Sequence, residues 1–165
     1  MEFERPGRCV VGTVGQPGNR LFLIQVAQGS RLAAVALEKQ QAQLLGMRVG
    51  EVLDRLAELG HDVPDRREPA DMGPLDAPVS VAFRAAAIGL AWDQERGRLV
   101  LELFSDEVDE QGETSLLQVL LTPAMAREFA ARSEVIVASG RQACPVCAQP
   151  VGRGHFFGAR GDANG

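Results

Sequence analysis

The only cluster of thiol and imidazole side chains in the sequence lies near its C-terminus. Cys144 and Cys147 are separated by two residues, and His155 follows them. Two cysteines at this spacing in a tight turn can bind one zinc ion through both sulfurs, and the histidine can supply a third ligand. A closed structural site needs a fourth ligand, but Phe156 and Phe157 stand where another cysteine would be expected.

Three interpretations of this C-terminal motif remain open. The first is a zinc-ribbon-like tail that binds zinc through Cys144, Cys147 and His155. The second is a degenerate knuckle without metal. The third is a redox disulfide, which requires a helix N-terminus after the first cysteine to lower its pKa, and residues 148–150 do not have a helical pattern. An open zinc position alone does not predict an enzyme, because catalytic zinc also needs a cavity and a base.

A second set of residues could bind a phosphorylated or nucleotide ligand. Four basic side chains would supply charge, a tryptophan would supply a stacking face, and two amides lie in a turn between strands. These candidates are Arg8, Gln16, Asn19, Arg20, Lys39, Arg84 and Trp92. The glycine-rich loop 12–18 has the composition of a phosphate loop, but it joins two strands rather than a strand and a helix, and its proline removes a donor. A hairpin turn is therefore the better interpretation of that loop.

The remaining chemistry-bearing residues favour a non-catalytic protein. The sequence has two histidines, His61 in a connector and His155 in the C-terminal motif, so no imidazole remains for a nucleophile–base–acid set. Cys9 lies in an apolar alternating run, which predicts a buried structural thiol. Lys39 is alternatively a solvated residue of a first helical turn, and Trp92 a core residue.

Composition limits the class of protein. The chain has 165 residues, which suits one domain with a tail, and a formal net charge of −5 that disfavours sequence-independent nucleic-acid binding. It contains neither a signal region nor a stretch of about 20 apolar residues that would span a membrane. Three cysteines, two of them in CxxC spacing, fit a reducing cytoplasm.

Hydrophobic periodicity predicts the elements that must position these residues. Alternation of apolar residues predicts strands, and a 3.6-residue period predicts two helices, the second beginning at Thr122 as N-cap and Pro123. The Ala85–Ala87 patch predicts a bend or bulge in its strand. The predicted strands are 9–14, 20–27, 32–37, 79–93, 98–108 and 115–121, and the predicted helices are 38–59 and 123–139.

The element order is three strands and a helix, twice. This order predicts an α+β fold made of pseudo-duplicated βββα units, with one or two antiparallel sheets covered by two main helices. We expect a domain over residues 1–141, with halves at about 8–60 and 79–141 and a connector over 61–78. Residues 142–165 form the predicted knuckle-like tail.

Several segments together resemble an actinobacterial family of unknown function. They are Phe3–Pro6, Val11–Gly18, Leu37–Gln41, Pro74–Asp76, Phe83–Arg84, Leu90–Asp93 and the tail from Cys144. The resemblance implies a small cytosolic protein without an assigned activity. Family members end in CPxC, then Gly-His-x-Cys-Pro-Arg and Asn-Gly; here Gly154–His155 and Asn164–Gly165 match, but Phe157 replaces the cysteine. The resemblance also implies genes nearby for a phosphoinositide-kinase-like protein and a phosphomutase-like protein.

These observations lead to two hypotheses of function. The leading one is a non-catalytic binding or adaptor protein that presents the 16–20 hairpin and the tail to another protein. The alternative is an enzyme or sensor for a small phosphorylated or nucleotide ligand. A nucleic-acid role through the C-terminal motif ranks below both, because the acidic net charge disfavours it. We expect no membrane partner.

Overall fold

The computed structural model describes residues 1–16, 18–65 and 68–139. Cys144, Cys147 and His155 lie outside these ranges. The predicted zinc site and the predicted tail over residues 142–165 therefore stay predictions, as does the domain boundary at residue 141.

The described residues form seven strands and two helices, and this confirms the predicted α+β class. The element order also contains the sequence three strands and a helix twice, although a common origin of the two halves stays a prediction. In chain order the elements are β1 (Glu2–Phe3), β2 (Arg8–Val14), β3 (Leu21–Gln28), β4 (Arg31–Leu37), α1 (Lys39–Glu58), β5 (Val81–Asp93), β6 (Arg98–Val108), β7 (Thr114–Leu121) and α2 (Pro123–Ala138).

All seven strands belong to one mixed sheet, with the order β1-β7-β6-β5-β4-β3-β2. The expected antiparallel arrangement holds for four pairs, but β4 pairs with β5 in parallel, and so does β1 with β7. The β4–β5 pair is parallel because α1 and the connector return the chain to the end of the sheet from which β4 started, which is the geometry of a crossover connection. Strand β1 was not predicted, because two residues are too short to show a period.

The helices begin and end where local sequence directs them. Glu38 precedes α1 and forms a capping box with Gln41, in which each side chain binds the other residue's backbone. Gly60 follows α1 with a φ of 95°, a conformation that favours glycine. The Thr122 side chain accepts a hydrogen bond from the Met125 amide, as predicted for an N-cap.

The core lies between the sheet and the two helices, and both halves of the chain contribute to it. The helices pack closely on each other at Gly46, where an added Cβ would lie 3.0 Å from the Ser133 Cβ.

The connector between α1 and β5 covers the second face of β2, β3 and β4. The Gln25 amide exchanges two hydrogen bonds with the Asp76 backbone, at 2.9 and 2.7 Å. The Leu75 side chain lies over Gly12, where an added Cβ would be only 2.5 Å from the Leu75 Cδ2. The connector has no helix or strand in its described part, yet it is a packed layer of the fold.

We predict that Gly12→Ala destabilises the protein by about 1–3 kcal/mol, because the new methyl group overlaps Leu75. Leu75→Ala in the same chain should recover part of this loss, since it removes the overlapping atoms. Urea unfolding of the two single variants and the double variant measures this coupling. Strictly additive effects would show that Leu75 does not cover Gly12.

Candidate functional site

Five of the seven candidate ligand-binding residues lie at one end of the β2–β3–β4 sheet. Val14 pairs with Leu21 and Leu37 pairs with Phe22, so the β2–β3 turn and the end of β4 lie side by side. We call this region the hairpin end and define it as residues 14–16, 18–21, 37–39, 84 and 139. The candidates that it contains are Gln16, Asn19, Arg20, Lys39 and Arg84.

The charged side chains of the hairpin end contact neighbouring elements of the same chain. The Arg84 Nη1 donates to the Glu38 Oε2 at 2.8 Å, and both side chains are exposed. The Arg20 Nη1 donates to the Ser139 carbonyl at 3.1 Å, which ties the β2–β3 turn to the end of α2. The turn and the residue from which the C-terminal segment continues are therefore held together.

The start of α1 is occupied by its own cap. The Glu38 carboxylate accepts from the backbone of the first helical turn, in the position where an anionic ligand would otherwise bind. The loop after β2 joins two antiparallel strands, which confirms the hairpin interpretation of residues 12–18. Neither feature forms a phosphate cradle.

Arg8 lies at the opposite end of β2, where it pairs with Ala27 of β3. Its Nε and Nη2 donate to the two carboxylate oxygens of Asp71 at 2.7 and 3.2 Å, and Nη1 donates to the Asp76 Oδ2 at 3.2 Å. This bidentate pair, first of all the hydrogen bond from Arg8, holds the pKa of Asp71 below its usual value. Arg8 therefore binds the connector.

Arg132 of α2 completes this cluster from the helix side. Its side chain is 3% exposed, and its Nε donates to the Val11 carbonyl at 2.8 Å. Its Nη1 donates to the Gly73 and Asp71 carbonyls at 2.8 and 3.1 Å. Burial, and then the nearby positive charge of Arg8, lowers the pKa of this guanidinium. We call Arg8, Asp71 and Arg132 the arginine clasp, because together they hold the connector against the edge of β2.

Two neighbours on α2 extend the same attachment. The Arg127 Nε donates to the Pro64 carbonyl at 2.9 Å, and its Nη2 donates to the Asp54 Oδ1 at 3.0 Å. Glu128 accepts from the Ala70 and Asp71 amides. The sequence did not predict that these residues form a cluster. One signal was present: Arg132 lies within the apolar stripe of α2, and an arginine at such a position indicates a buried guanidinium.

Trp92 does not join the hairpin end. It lies eight residues beyond Arg84 on β5, which corresponds to about 26 Å of extended strand. Its ring packs edge-on against His61, with centroids 5.3 Å apart, and it lies against the core. The indole Nε1 is buried without a hydrogen-bond partner among the described residues.

Cys9 is a buried free thiol, as the sequence predicted. Burial raises its pKa to about 12, so it stays protonated at neutral pH. Within the described ranges, no group of three or more His, Cys, Asp and Glu side chains is arranged to hold a metal ion. In the same ranges, no helix is both long enough and apolar enough to cross a membrane.

Residues 1–157 match the model of a family described as "Protein of unknown function (DUF3090)". The chain belongs to this family. The match covers nearly the whole sequence and agrees with the resemblance to a family of unknown function. No curated protein matches the chain, and no solved structure matches it.

We predict that Arg132→Met lowers the free energy of unfolding by about 3–5 kcal/mol, because three backbone carbonyls lose a charged donor inside the protein. Arg55→Met is a matched control, since Arg55 is exposed and its ion pair with Glu58 lies on the helix surface. Its effect should be below about 1 kcal/mol. Urea unfolding measures both, and equal effects would contradict a structural role for the clasp.

We predict that Asp71 contributes to acid sensitivity. Because the pKa of Asp71 is lower in the folded state, its stabilising effect is complete above its unfolded pKa of about 4 and is lost as the pH falls through the folded pKa. Asp71→Asn should therefore be less stable at neutral pH and lose less further stability on acidification.

Unfolding curves recorded from about pH 7 to about pH 3 test this prediction. Asp106→Asn is the control, because Asp106 is exposed and lies outside the clasp. If Asp71→Asn and the wild type lose the same free energy of unfolding on acidification, the clasp does not determine the acid sensitivity of the protein.

Proposed function

We propose that this chain is a non-catalytic adaptor that binds another protein through the hairpin end and the outer face of α1. The observation that carries the proposal is the exposure of two large apolar side chains on that face. Leu44 and Met47 are each 55% exposed. Apolar side chains grouped on a surface are typical of protein–protein contacts.

The two residues form one small surface. Leu44 and Met47 are three positions apart, so they lie on the same side of α1. The buried residues of this helix, among them Ala42, Leu45 and Val49, face the core instead. Neither Leu44 nor Met47 contributes to the core, so both apolar side chains are available for contact with another molecule.

The hairpin end supplies the polar surroundings of such a contact. α1 begins there, and the exposed Arg84–Glu38 pair and the Arg20–Ser139 hydrogen bond lie in the same region. Protein interfaces commonly combine an apolar centre with a polar rim. The end of α2 in this region also means that a partner bound here would lie beside the start of the C-terminal segment.

The partner to test first is the phosphoinositide-kinase-like protein that the family resemblance implied. The C-terminal segment, with zinc held by Cys144, Cys147 and His155, would be a second point of contact in the same complex. Both suggestions extend the proposal, and each can fail without the other.

The alternative function, an enzyme or sensor for a phosphorylated or nucleotide ligand, has less support. Arg8 binds Asp71 and Asp76 at the far end of β2, and Trp92 packs against His61. Arg84 is paired with Glu38. The candidate residues are thus divided among three places, each with contacts inside the chain.

We predict that the double substitution Leu44→Gln and Met47→Gln weakens binding to the kinase-like protein by about tenfold or more, because it removes apolar contact area while keeping helix propensity. Leu59→Gln is the matched control, since Leu59 is 60% exposed at the other end of α1. Its affinity should stay within about twofold of the wild type.

Isothermal titration with purified proteins measures these affinities, and thermal unfolding verifies that each variant is folded. Equal weakening by Leu59→Gln would contradict the proposed surface. Absence of binding by the wild type would remove this partner, and a rise in Tm with nucleotides or sugar phosphates would favour the alternative function.

A further inference from the structure

Strand β5 changes its partner halfway along its length. Val81, Phe83 and Arg84 pair with β4, whereas residues from Ala85 to Asp93 pair with β6. The pairing register shifts between Ala85 and Ala87, which confirms the predicted bulge. A strand that changes partners at a bulge has one free edge along each half.

The second half of β5 extends past the last paired residue of β4. Its edge on that side therefore has no neighbouring strand. The Ala85 carbonyl is covered there, because it accepts a hydrogen bond from the Gln41 side chain at 3.1 Å. Beyond that point, no backbone hydrogen bond other than the β5–β6 ladder reaches residues 86–92 in the described chain. The burial agrees with this geometry: β5 is fourth in the sheet order, yet only Ala85 of its thirteen residues is buried.

At the two ends of the sheet, part of the strand edge is protected, in contrast. At β2, the Val11 carbonyl accepts from the buried Arg132. At β7, residues Glu2 and Phe3 pair with Gln118 and Val119 as strand β1. Proteins usually cover or charge their free strand edges, because unpaired backbone groups recruit other strands. Along residues 86–92 of β5, no other backbone of the described chain pairs with this edge, and no side chain carries a charge.

The sequence of this edge is symmetric about Gly89. Ile88 and Leu90 are one residue away from Gly89 on either side, and Ala87 and Ala91 are two residues away. In an antiparallel pair of identical strands centred on Gly89, each alanine would face an alanine, and each large apolar residue would face another. A two-fold symmetric contact needs this kind of self-complementary surface.

We propose that a second copy of this chain pairs with this edge, antiparallel along residues 87–91, with the two-fold axis at Gly89. The four-stranded parts β1-β7-β6-β5 of both copies then form one continuous sheet. This contact uses neither Leu44 nor Met47 of α1.

The first experiment measures the mass of the full chain in solution. We expect a dimer by sedimentation and by light scattering. In the double substitution Ala87→Lys and Ala91→Lys, each Lys of one copy would face a Lys of the other. The repulsion between these like charges should raise the Kd of the dimer by at least about tenfold. Ala82→Lys is the matched control, because Ala82 is also exposed but lies on the first half of β5; it should leave the dimer intact.

The second experiment uses a disulfide at the proposed axis. Gly89→Cys, in a background with Cys144→Ser and Cys147→Ser, should form a covalent dimer on mild oxidation, because the Cβ atoms of facing residues are about 5 Å apart. The site accepts a side chain, since an added Cβ would be 3.6 Å from its nearest neighbour. Val108→Cys, at an exposed position on β6, should form no covalent dimer under the same treatment.

These experiments can overturn the proposal separately. A monomeric wild type would show that a second copy does not occupy this edge and would leave it to a segment of another protein. A dimer that persists with both lysines, in a variant whose thermal unfolding is unchanged, would place the dimer contact elsewhere. Equal cross-linking through Val108→Cys would show collision rather than a defined axis.

Discussion

The buried guanidinium of Arg132 is the interaction on which the arrangement of the layers depends. A buried charge is unfavourable unless hydrogen bonds replace its water, and Arg132 donates such bonds to carbonyls of both β2 and the connector. The position of α2 and the position of the connector against β2 therefore depend on each other. The connector in turn positions Leu75 and Asp76 on the other side of the sheet, so one cation links three layers.

The partner exchange of β5 follows from a second constraint, the crossover made by α1. Because α1 and the connector return the chain to its starting end, β5 runs parallel to β4 and continues past the point where β4 stops. The second half of β5 can then pair only with β6 within the described chain. Strand β5 is thus in the middle of the strand order, but its second half has a neighbouring strand on one side only. This explains why alanine residues are exposed along it.

Local pattern predicted the elements of this fold, because local forces determine them. The period of α1, the Thr122 cap and the Ala85–Ala87 bulge are each encoded within a few residues. The sequence could not predict the parallel β4–β5 pair or the arginine clasp, because Arg8, Asp71 and Arg132 are distant in sequence and meet only in the folded chain. Five of the candidate residues lie at one end of the sheet, whereas Arg8 and Trp92 are separated from them by packing that leaves no local signature.

Strand β1 has a consequence for the order of events during synthesis. Its partner is the last strand of the sheet, and the Met1 amino group and the Leu116 carbonyl that it contacts are 115 positions apart. Closure of so long a loop is entropically unfavourable and comes late, whereas β2, β3 and β4 pair with near neighbours. During synthesis Phe3 would therefore stay exposed until β7, more than 110 positions later, has been translated.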